Sequence, residues 1–212
     1  MTSVLAEAIA QLGSGPYRDG SSTRAGWLYQ PMGDFVPELQ NVPCHWPDAV
    51  RHTFGVIRDA GGHEGTLIDV GCSTGYYLAG LSGYSLAQGY ERDPAALAIA
   101  RACGLNVCSE ELFGLTPAEF PRPVTVLALN VHMWWVKQGV ASDMMNRIAN
   151  VADRCFFQTA GADSRGMFTV DFLRSAADED RYLSWWFAHR ELIDTTALHG
   201  GARRLWRLKH RP

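Results

Sequence analysis

A ten-residue stretch, Thr66-Leu-Ile-Asp-Val-Gly-Cys-Ser-Thr-Gly75, leaves this chain few folds to choose from. Leu67, Ile68 and Val70 form a short apolar run flanked by Gly61, Gly62 and Gly65, which reads as a buried strand. Gly71 and Gly75 then let the backbone turn and let a ligand come close to it. A strand, a glycine-bearing turn and a helix in succession is how open α/β sheets build a nucleotide-sized site. Asp69 stands near the carboxyl end of the strand, where such sheets bind their ligands. A carboxylate there suits a cationic group. It fits poorly with a pyrophosphate, which prefers bare backbone N–H groups at a helix N-terminus. The dinucleotide fingerprint Gly-x-Gly-x-x-Gly is missing, because Gly71, Gly75 and Gly80 have the wrong spacing.

A second unit follows at the right distance. Ser85-Leu-Ala-Gln-Gly-Tyr-Glu91 reads as a strand ending in an acid, 22 residues after Asp69. Asp93 suits an N-cap and Pro94 a first helical position, so a helix is predicted from about Ala95 to Cys103. An acid at the end of the second strand of a βαβ unit can accept hydrogen bonds from ribose hydroxyls.

Asp69-Val-Gly71-Cys-Ser73-Thr-Gly75 resembles the first motif of the class I S-adenosylmethionine-dependent methyltransferases, acidic-x-Gly-x-Gly-x-Gly, with Ser73 in place of the middle glycine. The stretch from Gly89 to Arg101 resembles the second motif of that family. Motif support runs from about residue 66 to residue 160. The resemblance implies S-adenosylmethionine as donor, S-adenosylhomocysteine as product, and no metal. It places donor contacts at Asp69, Gly71, Cys72, Ser73 and Gly75, with Glu91 as the ribose-binding acid and Arg92 beside it. Leu105 to Cys108 looks like a third strand, and Glu110, with Glu111 second, is the candidate for the adenine amino group. Val124 to Asn130 is a near-continuous apolar run, as a central parallel strand requires. Asn130-Val-His132 after it is similar to the stretch that follows the fourth strand in many small-molecule methyltransferases, which adds Asn130 to the donor set.

Composition fits one folded unit. Of 212 residues, 47% are hydrophobic and 19% charged, too apolar for a disordered chain. A net charge of −3 gives no overall support for a nucleic-acid partner. No apolar run approaches a membrane span, and Met1-Thr-Ser-Val-Leu-Ala-Glu7 lacks the basic start of a signal peptide. Five cysteines, at 44, 72, 103, 108 and 155, form no Cys-x-x-Cys pair, which fits reduced thiols, a cytoplasmic location and no structural zinc.

Residues 1–45 read as an arm outside the sheet, with residues 46–212 as the catalytic domain. Loop formers crowd Gly13 to Arg24, and aromatics sit among prolines in Gly26 to Pro31 and Asn41 to Pro47. The family often builds a lid here, with Tyr17, Arg24, Trp27 and Tyr29 as candidate contacts. Pro47 to Arg58 is predicted helical with Val50, Phe54 and Ile57 on one face. Val140 to Ala152 has the same character, its methionines 144 and 145 reading as core. Arg154 to Thr159 reads as a fifth strand, Phe168 to Ala177 as a helix, and Asp178-Glu-Asp-Arg181 as a solvated charged turn. Two strands around Gly200-Gly201 close the sheet, Leu205 and Leu208 packing inward while the tail cations Arg203, Arg204, Arg207 and Lys209 are solvated.

The chemistry follows from the donor. A sulfonium already activates its methyl group, so the protein must align a nucleophile and exclude water. Hydroxyl or amine acceptors also need a proton removed, and His132 is the candidate base. His45 is second. Trp46, Trp134, Trp135 and Trp186, with Tyr29, are candidate acceptor contacts, since indole faces stack on flat rings. Neighbouring tryptophans on a strand would point oppositely, one of each pair into a pocket.

The fold expected is α/β: a Rossmann-like, doubly wound sheet of about seven strands, mostly parallel with an antiparallel last strand. The activity expected is methyl transfer to oxygen or nitrogen of a small aromatic or heteroaromatic molecule, by a monomer or homodimer, with no membrane and no nucleic acid. Rival readings are an RNA methyltransferase, a nicotinamide-dependent oxidoreductase, and a non-catalytic S-adenosylmethionine-binding partner of another protein.

Overall fold

The structure, a computed structural model, describes residues 3–11, 26–109, 120–159, 173–198 and 201–209. Helix α1 (Ser3–Gln11) comes first, then a segment with two single 3-10 turns at Met32–Asp34 and Pro37–Leu39. There follow α2 (Pro47–Asp59), β1 (Thr66–Val70), α3 (Tyr76–Gly80), β2 (Leu86–Tyr90), α4 (Pro94–Ala102) and β3 (Val107–Cys108). The second half is β4 (Val124–Leu129), α5 (His132–Lys137), α6 (Ala141–Val151), β5 (Arg154–Gln158), α7 (Ala176–Leu183), β6 (His189–Leu198) and β7 (Gly201–Lys209).

The seven strands form one sheet in the order β3-β2-β1-β4-β5-β7-β6. Strands β1 to β5 pair in parallel, while β7 runs antiparallel to both β5 and β6. This is the doubly wound, mostly parallel sheet with one antiparallel strand that the resemblance to the class I methyltransferases implies. The site follows from the topology. The chain reverses its winding at β1, so the carboxyl ends of β1 and β4 diverge into a crevice.

Both faces of the sheet are covered, and strand periodicity sorts side chains between them. Leu67, Leu127, Phe156 and Leu205 face a core shared with α1, α2, α4 and the 26–46 segment. Ile68, Val126, Phe157 and Trp206 face the opposite core, built on α6 and α7. Val50, Phe54 and Ile57 line the inner face of α2, and Met144, Met145, Ile148 and Val151 that of α6, both as expected from helical spacing. Each fully buried aliphatic side chain of this kind contributes about 1.5–3 kcal/mol. Asp93 caps α4 by accepting from the Ala95 N–H at 2.9 Å, with Pro94 in the first turn.

Three expectations are corrected. Asp178 to Arg181 is no solvated turn but the middle of α7, started by a capping box between Ser175 and Asp178. Glu179 is fully buried and accepts from Thr159 Oγ1, Arg204 Nη1 and Trp206 Nε1 at 2.9, 2.9 and 2.7 Å. The paired tryptophans do not lie on strands: Trp134 and Trp135 are in α5, and Trp185 and Trp186 in the turn after α7. The tail is less solvated than expected. Leu205 and Leu208 are buried, but on opposite faces of an interior strand, and Arg204 and Arg207 pair with Glu179 and Glu191. Residues 168–172 of the helix expected from Phe168 to Ala177 lie outside the described residues, as do Tyr17, Arg24, Glu110, Glu111 and Gly200; residues 173–175 are not helical, and the helix begins only at Ala176.

Candidate active site

The turn after β1 reverses direction by placing alternate residues in the left-handed region: Gly71 at φ 70°, Ser73 at 51° and Gly75 at 89°. Ser73 is the only non-glycine of the three and holds a conformation that L side chains rarely adopt. Its N–H is held by the Glu91 carboxylate at 2.7 Å, which anchors that conformation. At Gly71 a Cβ would also run into Val131 Cγ1. The turn is stitched to the end of β2, since the Gly71 and Cys72 N–H groups both donate to the Tyr90 carbonyl, at 2.8 and 3.1 Å. On its other side Gln30, itself buried, accepts from the Tyr76 N–H at 3.1 Å and from the Thr74 hydroxyl at 3.3 Å. Asp34 adds a second tie, taking the Tyr76 hydroxyl and a two-pronged contact from Arg51, which holds its carboxyl below the usual range. The 26–46 segment is thereby fastened to the turn and to α2.

Asp69 lies just below this turn, out of solvent. Burial, and then the neighbouring charge of Glu91, push its carboxyl up to about 8. Among the described residues its Oδ2 has no hydrogen-bond partner. Glu91 is finished differently. Its Oε2 takes the Ser73 N–H, and its Oε1 takes the Arg92 and Asp93 N–H groups at 2.7 and 2.8 Å. Burial raises its carboxyl, and these three donors oppose the rise. The Cys72 thiol is pushed up by burial and by Asp69 and Glu91, which disfavours its thiolate at neutral pH. The Arg92 side chain points to solvent.

The second orphaned acceptor is Asn130 Oδ1, at the end of β4. Asn130 also has a positive φ, 60°. Its Nδ2 donates to Gln158 Oε1 at 2.8 Å, and Gln158 Nε2 donates to Thr53 Oγ1 at 3.2 Å, so a relay of amides from α2 sets the side chain. Asp69 Oδ2 and Asn130 Oδ1 therefore present two unsatisfied acceptors at the carboxyl ends of adjacent strands. An unpartnered buried acceptor is destabilising by about 1–3 kcal/mol, and a ligand rich in N–H or O–H groups would relieve it.

His132 opens α5 and is buried, which holds its imidazole down at about 4 and therefore neutral. Its Nε2 shares a hydrogen bond of 2.7 Å with the Tyr182 hydroxyl, and its ring meets Trp135, Phe157 and Tyr182 edge-on. Trp186 continues this cluster against Tyr182, with its Nε1–H donating to Asn146 Oδ1. Trp135 is buried there, while Trp134 carries Lys137 over its ring. Tyr29, Trp46 and His45 lie on the other side, in or beside the 26–46 segment; His45 meets the Trp27 ring. The candidate acceptor residues thus fall into two groups on opposite faces of the sheet. Gln30, Gln158 and Tyr182 were not singled out from the sequence. Their partners lie 28 to 105 residues away, at distances no local pattern reports.

No family model and no curated protein sequence matches this chain. Solved structures do. The bifunctional kinase-methyltransferase WbdD superposes with a TM-score of 0.67 at 16% identity, over 97% of this chain and 46% of its own. The N-methyltransferase NodS from Bradyrhizobium japonicum WM9, in complex with S-adenosylhomocysteine, gives 0.60 at 13% identity, over 84% and 97%. Magnesium protoporphyrin IX methyltransferase (ChlM) from Synechocystis PCC 6803, with bound S-adenosylmethionine, gives 0.58 at 18%, over 77% and 78%. The chain spans less than half the length of WbdD. At these identities the likeness is one of fold, and the fold is that of the class I S-adenosylmethionine-dependent methyltransferases.

Proposed function

We propose that the chain is an enzyme that transfers a methyl group from S-adenosylmethionine to a small molecule. The observation that carries this reading is the buried, unpartnered Asp69 Oδ2 below a turn whose alternate residues have positive φ. A site that leaves an acid without a counter-charge is suited to a cationic ligand and hostile to a pyrophosphate. When bound, the donor would supply an already activated methyl group. Asp69 would accept from the ligand's ammonium end. Glu91 would accept from ribose; a carboxylate has about four acceptor positions and three are taken by N–H groups, so one hydroxyl binds without rearrangement. Asn130 Oδ1 would take a further N–H or O–H donor from donor or acceptor.

Alignment and exclusion of water do most of the chemical work in this reading. The 26–46 segment, fastened by Gln30 and Asp34, is the candidate lid. His132 is buried, with Nε2 engaged by Tyr182, so a proton taken at Nε2 would travel through the tyrosine hydroxyl. The acceptor class, oxygen or nitrogen of an aromatic or heteroaromatic molecule, rests on the tryptophan content. Pairing of Arg204 and Arg207 with acids speaks against an RNA-binding tail.

Calorimetric titration of S-adenosylhomocysteine into wild type and Glu91→Ala tests the reading, with NAD as control. Micromolar-range binding is expected, weakened by about 1–3 kcal/mol in the variant. A folded wild type that ignores S-adenosylhomocysteine and binds NAD would overturn it.

A further inference from the structure

Asp69 and Glu91 stand together under the turn as two acids, and among the described residues neither forms an ion pair with a cation. The ionisable groups that face Asp69 among the described residues are Glu91 at the end of β2, Cys72 on its own turn and Tyr77 from α3. Every one of them is an acid, and the Arg203 guanidinium of β7 acts on Tyr77. Two neighbouring carboxylates in a dry site do not both ionise readily, and they titrate as a pair. The hydrogen bonds decide which member keeps the charge. Glu91 has three backbone N–H donors, each favouring the ionised form. Asp69 Oδ2 has no donor at all and is free to carry a hydrogen.

We propose that the ligand-free protein holds one proton on Asp69, and that a cationic ligand docking below the turn expels it to solvent. The step balances simply. The Asp69 carboxyl O–H breaks and its proton passes to the buffer. The vacated carboxylate then accepts an N–H from the ligand's ammonium group, so a buried neutral acid is replaced by an ion pair between the two groups. Burial of Asp69 supports the direction, since it disfavours a lone carboxylate there. The proposal rests on the methyltransferase reading for the identity of the ligand.

Binding must then strengthen as pH rises, because each docking event releases a proton from Asp69. Over the interval from pH 5.5 to 6.5 the ligand's α-ammonium, more basic than a chain's N-terminal amine at about 7.7–8.0, stays charged and does not confuse the result. S-adenosylhomocysteine is the probe. Titration calorimetry in two buffers of different ionisation enthalpy reads the protons released per ligand bound. Wild type is expected to release close to one, with affinity rising about tenfold across that pH unit. Asp69→Asn keeps the shape of the side chain and is expected to bind more weakly, with no release and no rise. A ligand-free readout accompanies it: the gap in urea midpoint between Asp69→Asn and wild type should widen from pH 5 to pH 8.

Wild-type binding with no proton released and a flat pH profile overturns this proposal and leaves the donor reading standing. Equal midpoint gaps at both pH values overturn it as well, independently of any ligand. Failure of S-adenosylhomocysteine to bind a folded wild type overturns the donor reading, and this proposal with it.

Discussion

Among the described residues two carboxylic acids lie out of solvent, Glu179 in α7 and Asp69 in β1, and they are finished in opposite ways. Glu179 accepts from a hydroxyl, a guanidinium and an indole, drawn from β7 and the end of β5. Its charge is neutralised and its oxygens are filled, so it joins the last helix to the sheet. Asp69 has no cation and leaves one oxygen unfilled. A buried acid that only served the fold would be expected to look like Glu179, because an unpaired charge destabilises the folded state. The incompleteness of Asp69 marks the place where something else completes it.

The contrast makes graded predictions. Glu179→Ala leaves the Arg204 guanidinium and the Trp206 N–H without their acceptor, and the expected loss is about 3–5 kcal/mol in urea unfolding. Affinity of the remaining folded protein for S-adenosylhomocysteine should be unchanged. A loss under about 1 kcal/mol would mean that Glu179 is not the tie described here. Asp69→Asn should act in the other direction. The folded-state value of Asp69, about 8, lies above the ordinary 3.8, so its contribution to stability is fully present below about pH 3.8 and is lost as pH rises toward 8. Removing the titrating group should therefore stabilise the ligand-free protein by about 1–3 kcal/mol at pH 8 and much less at pH 5. A variant less stable than wild type at pH 8 would place Asp69 with Glu179 as a structural acid. The smallest effect is expected at the start of α7, where Ser175 accepts from the Asp178 N–H at 3.1 Å. Ser175→Ala should lower stability by about 1 kcal/mol without touching ligand binding.

The two acids also show what can be read from a sequence. Asp69 announces itself, since it interrupts an apolar run and stands two and six residues before Gly71 and Gly75. The same holds for β4, for the Asp93-Pro94 helix start and for the closing strand pair, all of which carry their signal within a few neighbours. Glu179 carries none. Its three partners are 20 to 27 residues away, so Asp178-Glu-Asp-Arg181 looks like any charged turn. One local clue was there: Ser175 followed by Asp178 is a capping-box pattern and predicts a helix start. The tryptophan pairs misled for a related reason. Alternation holds only on a strand, and nothing in Trp134-Trp135 or Trp185-Trp186 says which element carries them. Gln30 and Gln158 escaped because an amide's role is set by whichever group it meets in space.

The position of β7 has a consequence for synthesis. It is the last of the seven strands to leave the ribosome, yet it sits inside the sheet, between β5 and β6. Until it arrives, β6 has no neighbour to bind and β5 exposes an unpaired edge. The nascent chain can assemble β1 to β5 as it emerges, but the edge beside Phe156 and Phe157 stays open. The final strand enters like a keystone, and only then do Leu205, Trp206 and Leu208 close both cores at once.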